Sequence, residues 1–198
     1  MITKGHKNTD KITRHKKIPV TSNKKLKNIT LFILENMLDL AEDIGRLSMD
    51  RKEIYRVLNQ NRQYEWNDSV IGRWLQNLKQ RDLITIEKKY SSNSIILTNK
   101  AKIKLVDKLA ARQRKDDVYR FITFDIPEKL SYNRNKFRSI LKKIGFIQIQ
   151  KSLWVIDKDV SNLVELAMLE CGVERYVAYI VSSKSDIDGL IKKKFEAI

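Results

Sequence analysis

The stretch VYRFITFDIPEKLSYNRNKFRSILKKIGFIQIQKSLWVID, residues 118–157, decides the fold of the second half of the chain. Its first part, Val118–Ile126, is apolar on both faces and predicts a strand covered on two sides. The strand ends near Asp125, where Pro127 marks a turn. An amphipathic helix over Tyr132–Ile144 follows, closed by Gly145. The remaining segment, 146–157, alternates like a strand and is long enough for a bend near 150–152 to divide it in two.

The sequence after this stretch completes a recognisable order of elements. A helix is predicted over 160–170, ended by Gly172, and a strand over 176–181. Strand, helix, strand, strand, helix, strand is the ferredoxin-like arrangement, an antiparallel sheet with both helices on one face. Tyr119 and Phe121 then lie on the other face and need a cover, for which a second copy of the domain is the simplest candidate. A homodimer is therefore expected, with a terminal helix over 187–197 packed on the body or on the partner.

The first half of the chain predicts three helices and a hairpin. Apolar residues at helical spacing favour a helix over 27–44. A second helix begins near Asp50, which forms a capping-box pattern with Glu53. The third is expected over 68–81, capped by Asn67 or Asp68, and strands over 83–87 and 94–97 follow. This is the order of a winged helix-turn-helix, so the fold class is α+β.

The third predicted helix carries the candidate DNA-reading surface. Arg73 has the donor fork that fits a guanine edge, and Gln76 or Asn77 has the amide that fits adenine. Phosphate contacts are expected from Ser69, Lys79 and the wing residues Lys88 and Lys89. The full predicted set is Ser69, Arg73, Gln76, Asn77, Lys79, Gln80, Lys88 and Lys89. The alternative is a winged helix used for protein contact, with the same side chains merely solvated.

Charge separates the two halves. The net charge is +16; residues 1–115 carry 26 Lys and Arg against 12 Asp and Glu, and residues 116–198 carry 14 against 12. A basic first half favours a polyanion such as double-stranded DNA. The expected organisation is a basic flexible arm (1–26), a winged helix-turn-helix (27–98), a basic connecting helix (99–115), a ferredoxin-like domain (116–186) and a C-terminal helix (187–198).

Several classes of function are excluded or disfavoured. No apolar run is long enough to span a bilayer, and the Lys-rich start does not resemble a secretory signal, so a cytoplasmic protein without a membrane partner is expected. The single Cys171 cannot form an intrachain disulfide and reads as a small core residue. Both histidines, His6 and His15, fall in the arm, which argues against histidine-dependent catalysis in the folded body.

The motif FDIPE at 124–128, with the helix NRNKFRSILKKIGF and the segment QKSLWVID, resembles the CRISPR Cas-two proteins. The chain resembles more closely the PaaX-like transcriptional repressors, whose central domain has this fold after a winged helix. The resemblance implies a homodimeric DNA-binding repressor. It does not extend to the further C-terminal domain of that family, so the family's acyl-CoA effector is not carried over and any small-molecule effector stays unidentified.

Asp125 carries the competing interpretation. The resemblance to the Cas-two family implies that this acid binds metal and faces its copy across a dimer. Such a pair would hold Mg²⁺ or Mn²⁺ and activate water against a phosphodiester. The alternative function is thus a metal-dependent endonuclease or a CRISPR-adaptation protein, and a third is a DNA-bridging factor without sequence preference. The favoured interpretation is a regulator that needs no cofactor, with Asp125 as a turn or interface acid.

Overall fold

The structure, a computed structural model, describes residues 23–40, 48–60, 66–89 and 92–197. For residues 23–27, 48, 88–89 and 92–93 it describes the backbone only. The predicted arm with its two histidines lies outside the described residues, apart from the backbone of 23–26. So do the end of the first predicted helix after Leu40 and the tip of the hairpin at 90–91.

Within its described residues, the first half contains three helices and one small antiparallel sheet up to Leu97. In chain order the elements are α1 (Asn23–Leu40), β1 (Ser48–Asp50), α2 (Arg51–Gln60), α3 (Asp68–Gln80), β2 (Ile84–Lys89) and β3 (Ser92–Leu97). The strands lie in the order β1-β3-β2. The predicted hairpin is present, and β1 is an addition that the sequence pattern did not indicate. Its three residues are too few to show an alternation.

Local capping explains where α2 and α3 begin. The Asn67 carboxamide oxygen accepts the Val70 backbone N–H at 3.0 Å, so Asn67 rather than Asp68 is the N-cap of α3. The Asp50 carboxylate accepts the Lys52 backbone N–H at 2.7 Å. Glu53 forms an ion pair with Arg56. In the predicted capping box, its carboxylate would instead accept the backbone N–H of Asp50.

The connection between the halves is two short helices, not the single helix expected over 99–114. They are α4 (Asn99–Lys104) and α5 (Val106–Ala111), separated at Leu105. The Thr98 hydroxyl accepts the Ala101 backbone N–H at the start of α4. Leu105 and its apolar neighbours are buried, so the break turns the chain without exposing its apolar face.

The second half is a four-stranded antiparallel sheet with two helices on one face. Its elements are β4 (Lys115–Phe124), α6 (Ser131–Ile144), β5 (Ile147–Gln150), β6 (Leu153–Lys158), α7 (Ser161–Cys171), β7 (Val177–Ser182) and α8 (Asp188–Glu196). The strand order is β5-β6-β4-β7. The α+β class and the strand–helix–strand–strand–helix–strand order are confirmed, and the bend near 150–152 does divide the long segment.

The strand β4 is shifted from its prediction over Val118–Ile126. It starts at Lys115 and ends at Phe124. Asp125 has already left the β4 ladder, and its backbone N–H donates to the Tyr176 carbonyl at 3.0 Å. Ile126 is buried. This apolar residue therefore fits the alternating pattern from which the strand was predicted to continue.

The outer face of the sheet is partly covered by the helix α8. Phe121 and Val155 on that face pack with Ile191 of α8, and Ile187 and Phe195 join the same cluster. Part of the face that was expected to need a second copy is therefore covered within the chain, and the homodimer stays a prediction. Among the described residues, no helix combines the length and the apolar character needed to cross a bilayer.

Candidate nucleic-acid interface

The exposed face of α3 brings four of the predicted DNA-reading residues together. These are Ser69, Arg73, Gln76 and Gln80, all exposed. Their spacing of four, three and four residues places them on one side of the helix. The opposite side is buried in the core through Ile71, Trp74, Leu75 and Leu78. The helix therefore presents a polar surface on a rigidly packed base.

The Arg73 side chain is exposed and is held by no ion pair or hydrogen bond within the described part of the chain. The one acid of α3, Asp68, lies in its first turn, where it accepts a hydrogen bond from Asn59 at 3.3 Å. The guanidinium fork is thus free to meet a planar acceptor.

Asn77 differs from the other members of the predicted set. It is half-buried, and its carboxamide oxygen is buried with no hydrogen-bond partner among the described residues. On a helix, Asn77 lies about 80° away from Ser69 around the axis, toward the packed side. The placement of Asn77 on the exposed face is therefore wrong in part, since a simple polar-versus-apolar pattern does not resolve the flank of a helix.

The remaining predicted phosphate contacts fall on two elements. Lys79 is exposed on the other flank of α3. Lys88 and Lys89 lie at the end of β2, where their backbones pair with Asn93 and Ser92 of β3. Their side chains lie outside the described part of the structure.

The packing of α2 on α3 adds residues that sequence reasoning missed. A Cβ at Gly72 would lie 3.3 Å from the Tyr55 hydroxyl oxygen, so α2 approaches α3 closely at this point. Arg51 donates to that hydroxyl at 3.1 Å. Arg51 thereby places a cation at the start of α2, on the side where Tyr55 approaches Gly72 of α3. The one available signal was a glycine inside an otherwise regular helix pattern.

Asp125, the candidate metal ligand, is exposed just after β4. It lines an open cleft with Thr123, Ser152, Arg175 and Tyr176, among others. The described residues hold no group of three or more His, Cys, Asp or Glu arranged to bind a metal ion. The acids nearest in sequence or motif are engaged elsewhere: Glu128 pairs with Arg134 at 2.7 Å, and Asp157 with Lys115 at 2.9 Å. Asp125 is the one acid among the residues that line this cleft. The paired Asp125 site across a dimer stays a prediction.

Two other titratable residues of the second half, Asp116 and Cys171, are held by hydrogen bonds and by burial, respectively. Asp116 accepts two hydrogen bonds from the buried Arg120, and this guanidinium lowers the pKa of the Asp116 carboxyl. Burial raises the pKa of the Cys171 thiol to about 11, so the thiol is neutral at physiological pH. Cys171 is a core residue, as the sequence predicted.

Residues 112–191 match the family model of the PaaX protein central Cas2-like domain. The predicted resemblance to the PaaX-like family is confirmed here. No curated protein matches the chain significantly.

The matched segment contains the complete sheet of the second half and the first residues of α8. It also contains Asp125 and the edge strand β7. The α3 surface lies outside the matched segment.

Proposed function

We propose that the chain is a DNA-binding transcription regulator of the PaaX type that acts as a homodimer. The observation that carries the proposal is the exposed face of α3, which presents Arg73, Gln76, Ser69 and Gln80 without an intervening acid. The PaaX central domain supports the regulator assignment. The concentration of positive charge in residues 1–115 supports a polyanionic partner.

In this proposal the first half is a winged helix-turn-helix. Its α2 and α3 form the helical pair, and β2 with β3 forms the wing. The α3 helix enters the major groove, where Arg73 forks onto guanine and Gln76 pairs with adenine. Ser69, Lys79 and the wing lysines Lys88 and Lys89 hold the phosphates. Arg51, which donates to the Tyr55 hydroxyl, adds a further cation near the DNA backbone.

The first experiment selects duplexes from a random library with the full chain and then measures affinity across a salt series. We expect enrichment of a two-fold symmetric site, and binding that weakens as salt rises because phosphate contacts release counterions. Arg73→Ala should weaken binding to the selected site by about 5- to 150-fold, the range of one bidentate base contact.

The matched variant Arg73→Lys keeps the charge and loses the planar fork. It should retain binding to unselected DNA while losing preference for the selected site. Lys143→Ala, which removes an exposed cation from α6, should leave the selected site's affinity nearly unchanged. Salt-sensitive binding without any enriched site would point to the DNA-bridging interpretation and overturn the repressor proposal. Absence of binding at low salt would remove DNA as the partner.

The nuclease alternative is tested on the same preparations. The proposal expects no cleavage of duplex or single strands in Mg²⁺ or Mn²⁺, because Asp125 has no companion ligand within the described chain. Asp125→Asn is the diagnostic variant, and Asp117→Asn, a neighbouring exposed acid, is its control. If cleavage is lost in Asp125→Asn and kept in Asp117→Asn, the function is phosphodiester hydrolysis and the regulator proposal is overturned.

A further inference from the structure

The Tyr55 hydroxyl lies where α2 meets the margin of the exposed face of α3. Its oxygen is 3.3 Å from the Cβ that a larger residue at position 72 would have. Around the axis of α3, Gly72 lies about 40° from Gln76 and about 60° from Ser69, two residues of the exposed face. Tyr55 and Gly72 are both half-buried, so they meet at the edge of the helix pair and not in the core. The hydroxyl is therefore beside the residues that contact DNA in the proposed function.

The hydrogen bond from Arg51 leaves the Tyr55 hydroxyl with a free donor. Arg51 donates to the Tyr55 oxygen at 3.1 Å, and its guanidinium carbon lies 5.4 Å from the centre of the Tyr55 ring. The oxygen thus accepts from Arg51, whereas its own O–H hydrogen meets no acceptor among the described residues. Accepting from a cation also makes the phenol a stronger donor, because hydrogen bonds in a chain polarise one another. The O–H group is consequently available to a ligand.

Arg51 keeps further donors for the same ligand. Its bond to Tyr55 uses one N–H of the guanidinium, which forms no ion pair within the described part of the chain. The acids nearest in sequence are engaged elsewhere. Asp50 accepts a backbone N–H of the first turn of α2 at 2.7 Å, and Glu53 pairs with Arg56. A cationic donor and a neutral donor thus lie side by side, an arrangement that suits the oxygens of an anion.

We propose that Tyr55 and Arg51 together bind one phosphate of the DNA backbone. This inference rests on the proposed function, since the pair reaches the strand beside the groove only when α3 lies in that groove. One phosphate oxygen accepts the Tyr55 O–H, and a free N–H of Arg51 bonds to the same phosphate group. Tyr55 is then a DNA contact that the charge pattern could not indicate, because tyrosine is neutral.

A backbone phosphate is the anion that fits this place. The two donors lie beside a helix whose exposed side chains suit base edges, and the strand that borders the groove presents its phosphates there. Residues 1–115 carry 26 Lys and Arg against 12 Asp and Glu, which favours a polyanion over an isolated small anion. Such a contact fixes the position of α3 on the duplex without reading its sequence.

The first test measures the affinity of the full chain for the selected duplex and for unselected DNA across a salt series. Tyr55→Phe should weaken binding to both DNAs by about tenfold, because a phosphate contact carries no sequence information. Its salt dependence should match that of the wild type, since no charge is lost. Arg51→Gln should also weaken both and reduce the slope of log affinity against log salt by about 0.9. Arg73→Ala differs, because it should lose the preference for the selected site.

Arg56→Gln is the matched control for the loss of a cation from α2. Its guanidinium is already paired with Glu53, so this variant should leave the affinity nearly unchanged. Urea unfolding checks that Tyr55→Phe, which keeps the ring, also keeps the fold. A loss of affinity confined to the selected site would show that Tyr55 acts through the position of α3, and it would overturn the phosphate contact. Wild-type affinity in both Tyr55→Phe and Arg51→Gln would overturn it as well.

Duplexes with single methylphosphonate linkages locate the phosphate. Each places one neutral linkage, a weaker acceptor, at one position of the selected site. At the contacted position the substitution should lower the affinity of the wild-type chain by about tenfold, and it should lower that of Tyr55→Phe and Arg51→Gln less, because their contact is already lost. Equal losses in all three proteins at every position overturn this site and leave the DNA-binding regulator standing. A wild-type chain that binds no DNA overturns both.

Discussion

Gly72 occupies a position where helix propensity and packing oppose each other. Glycine inside a helix costs about 0.5–1 kcal/mol relative to alanine. At Gly72 the additional methyl group would meet the Tyr55 hydroxyl oxygen at 3.3 Å, which is tighter than ordinary van der Waals contact. The close approach of α2 to α3 therefore accounts for the glycine, and it fixes the orientation of the α3 surface.

A double-mutant cycle tests this account. Gly72→Ala alone should gain less than the expected ~1 kcal/mol in free energy of unfolding, because the methyl group strains the Tyr55 contact. In a Tyr55→Phe background, where the hydroxyl is absent, the same substitution should show the full gain. Urea unfolding of the four proteins measures the coupling. Additive effects within about 0.3 kcal/mol would show that the Tyr55 hydroxyl does not restrict residue 72.

The contrast between Arg73 and Asn77 shows what a residue pattern resolves. Arg73 faces away from the buried stripe at every reasonable helix rotation, so its exposure was predictable. Asn77 lies on the flank, and its burial depends on the neighbours of α3, which the local sequence does not specify. Arg120 shows the same difficulty in a strand, because its burial also depends on residues outside the local sequence. Arg120 is buried and donates to Asp116, beside the irregularity in the pairing of β4 with β6, and none of these contacts can be read from the local sequence.

At the scale of elements, the residues that begin or end a helix locally predicted its bounds, whereas features that depend on tertiary packing could not be predicted. The start of α3 at Asn67 and the end of α6 at Gly145 follow from side-chain and backbone preferences within a few residues. The break at Leu105 has no such signal, because the residues around it keep a helical apolar pattern. The position of α8 was also open, since an amphipathic helix shows that it packs without showing where.

Gly145 gives the element-scale prediction. It ends α6 with φ 105° and ψ 15°, a left-handed conformation that costs residues with a Cβ about 1–2 kcal/mol. Gly145→Ala should therefore lower the free energy of unfolding by about 1 kcal/mol or more. Gly145→Asn should lose less, since asparagine tolerates this region. Chemical denaturation compares the two variants. An equal loss of stability in both would indicate that the added side-chain volume, and not the left-handed backbone conformation, sets the cost at this site.

At the scale of the whole molecule, α4 and α5 join the two halves through packing. Arg112 donates to the Leu38 carbonyl of α1 at 2.9 Å and pairs with Asp39. On the other side α5 packs against α6, and α4 against α7. One continuous cluster of buried apolar residues runs from α1 to the second sheet. The junction is therefore part of the core, which holds the α3 surface at a fixed angle to the second sheet.

This continuity predicts that the two halves unfold together. Trp154, in the second half, reports alone when Trp66 and Trp74 are replaced by Phe. In that background, Leu58→Ala removes buried methyl groups from the first half and should cost about 2–5 kcal/mol. If the core is one cooperative unit, the urea midpoint read from Trp154 fluorescence falls by the same amount as the midpoint read from circular dichroism. A Trp154 midpoint that stays in place while helical signal is lost earlier would show independent halves, and the fixed geometry between the α3 surface and the second sheet would no longer follow.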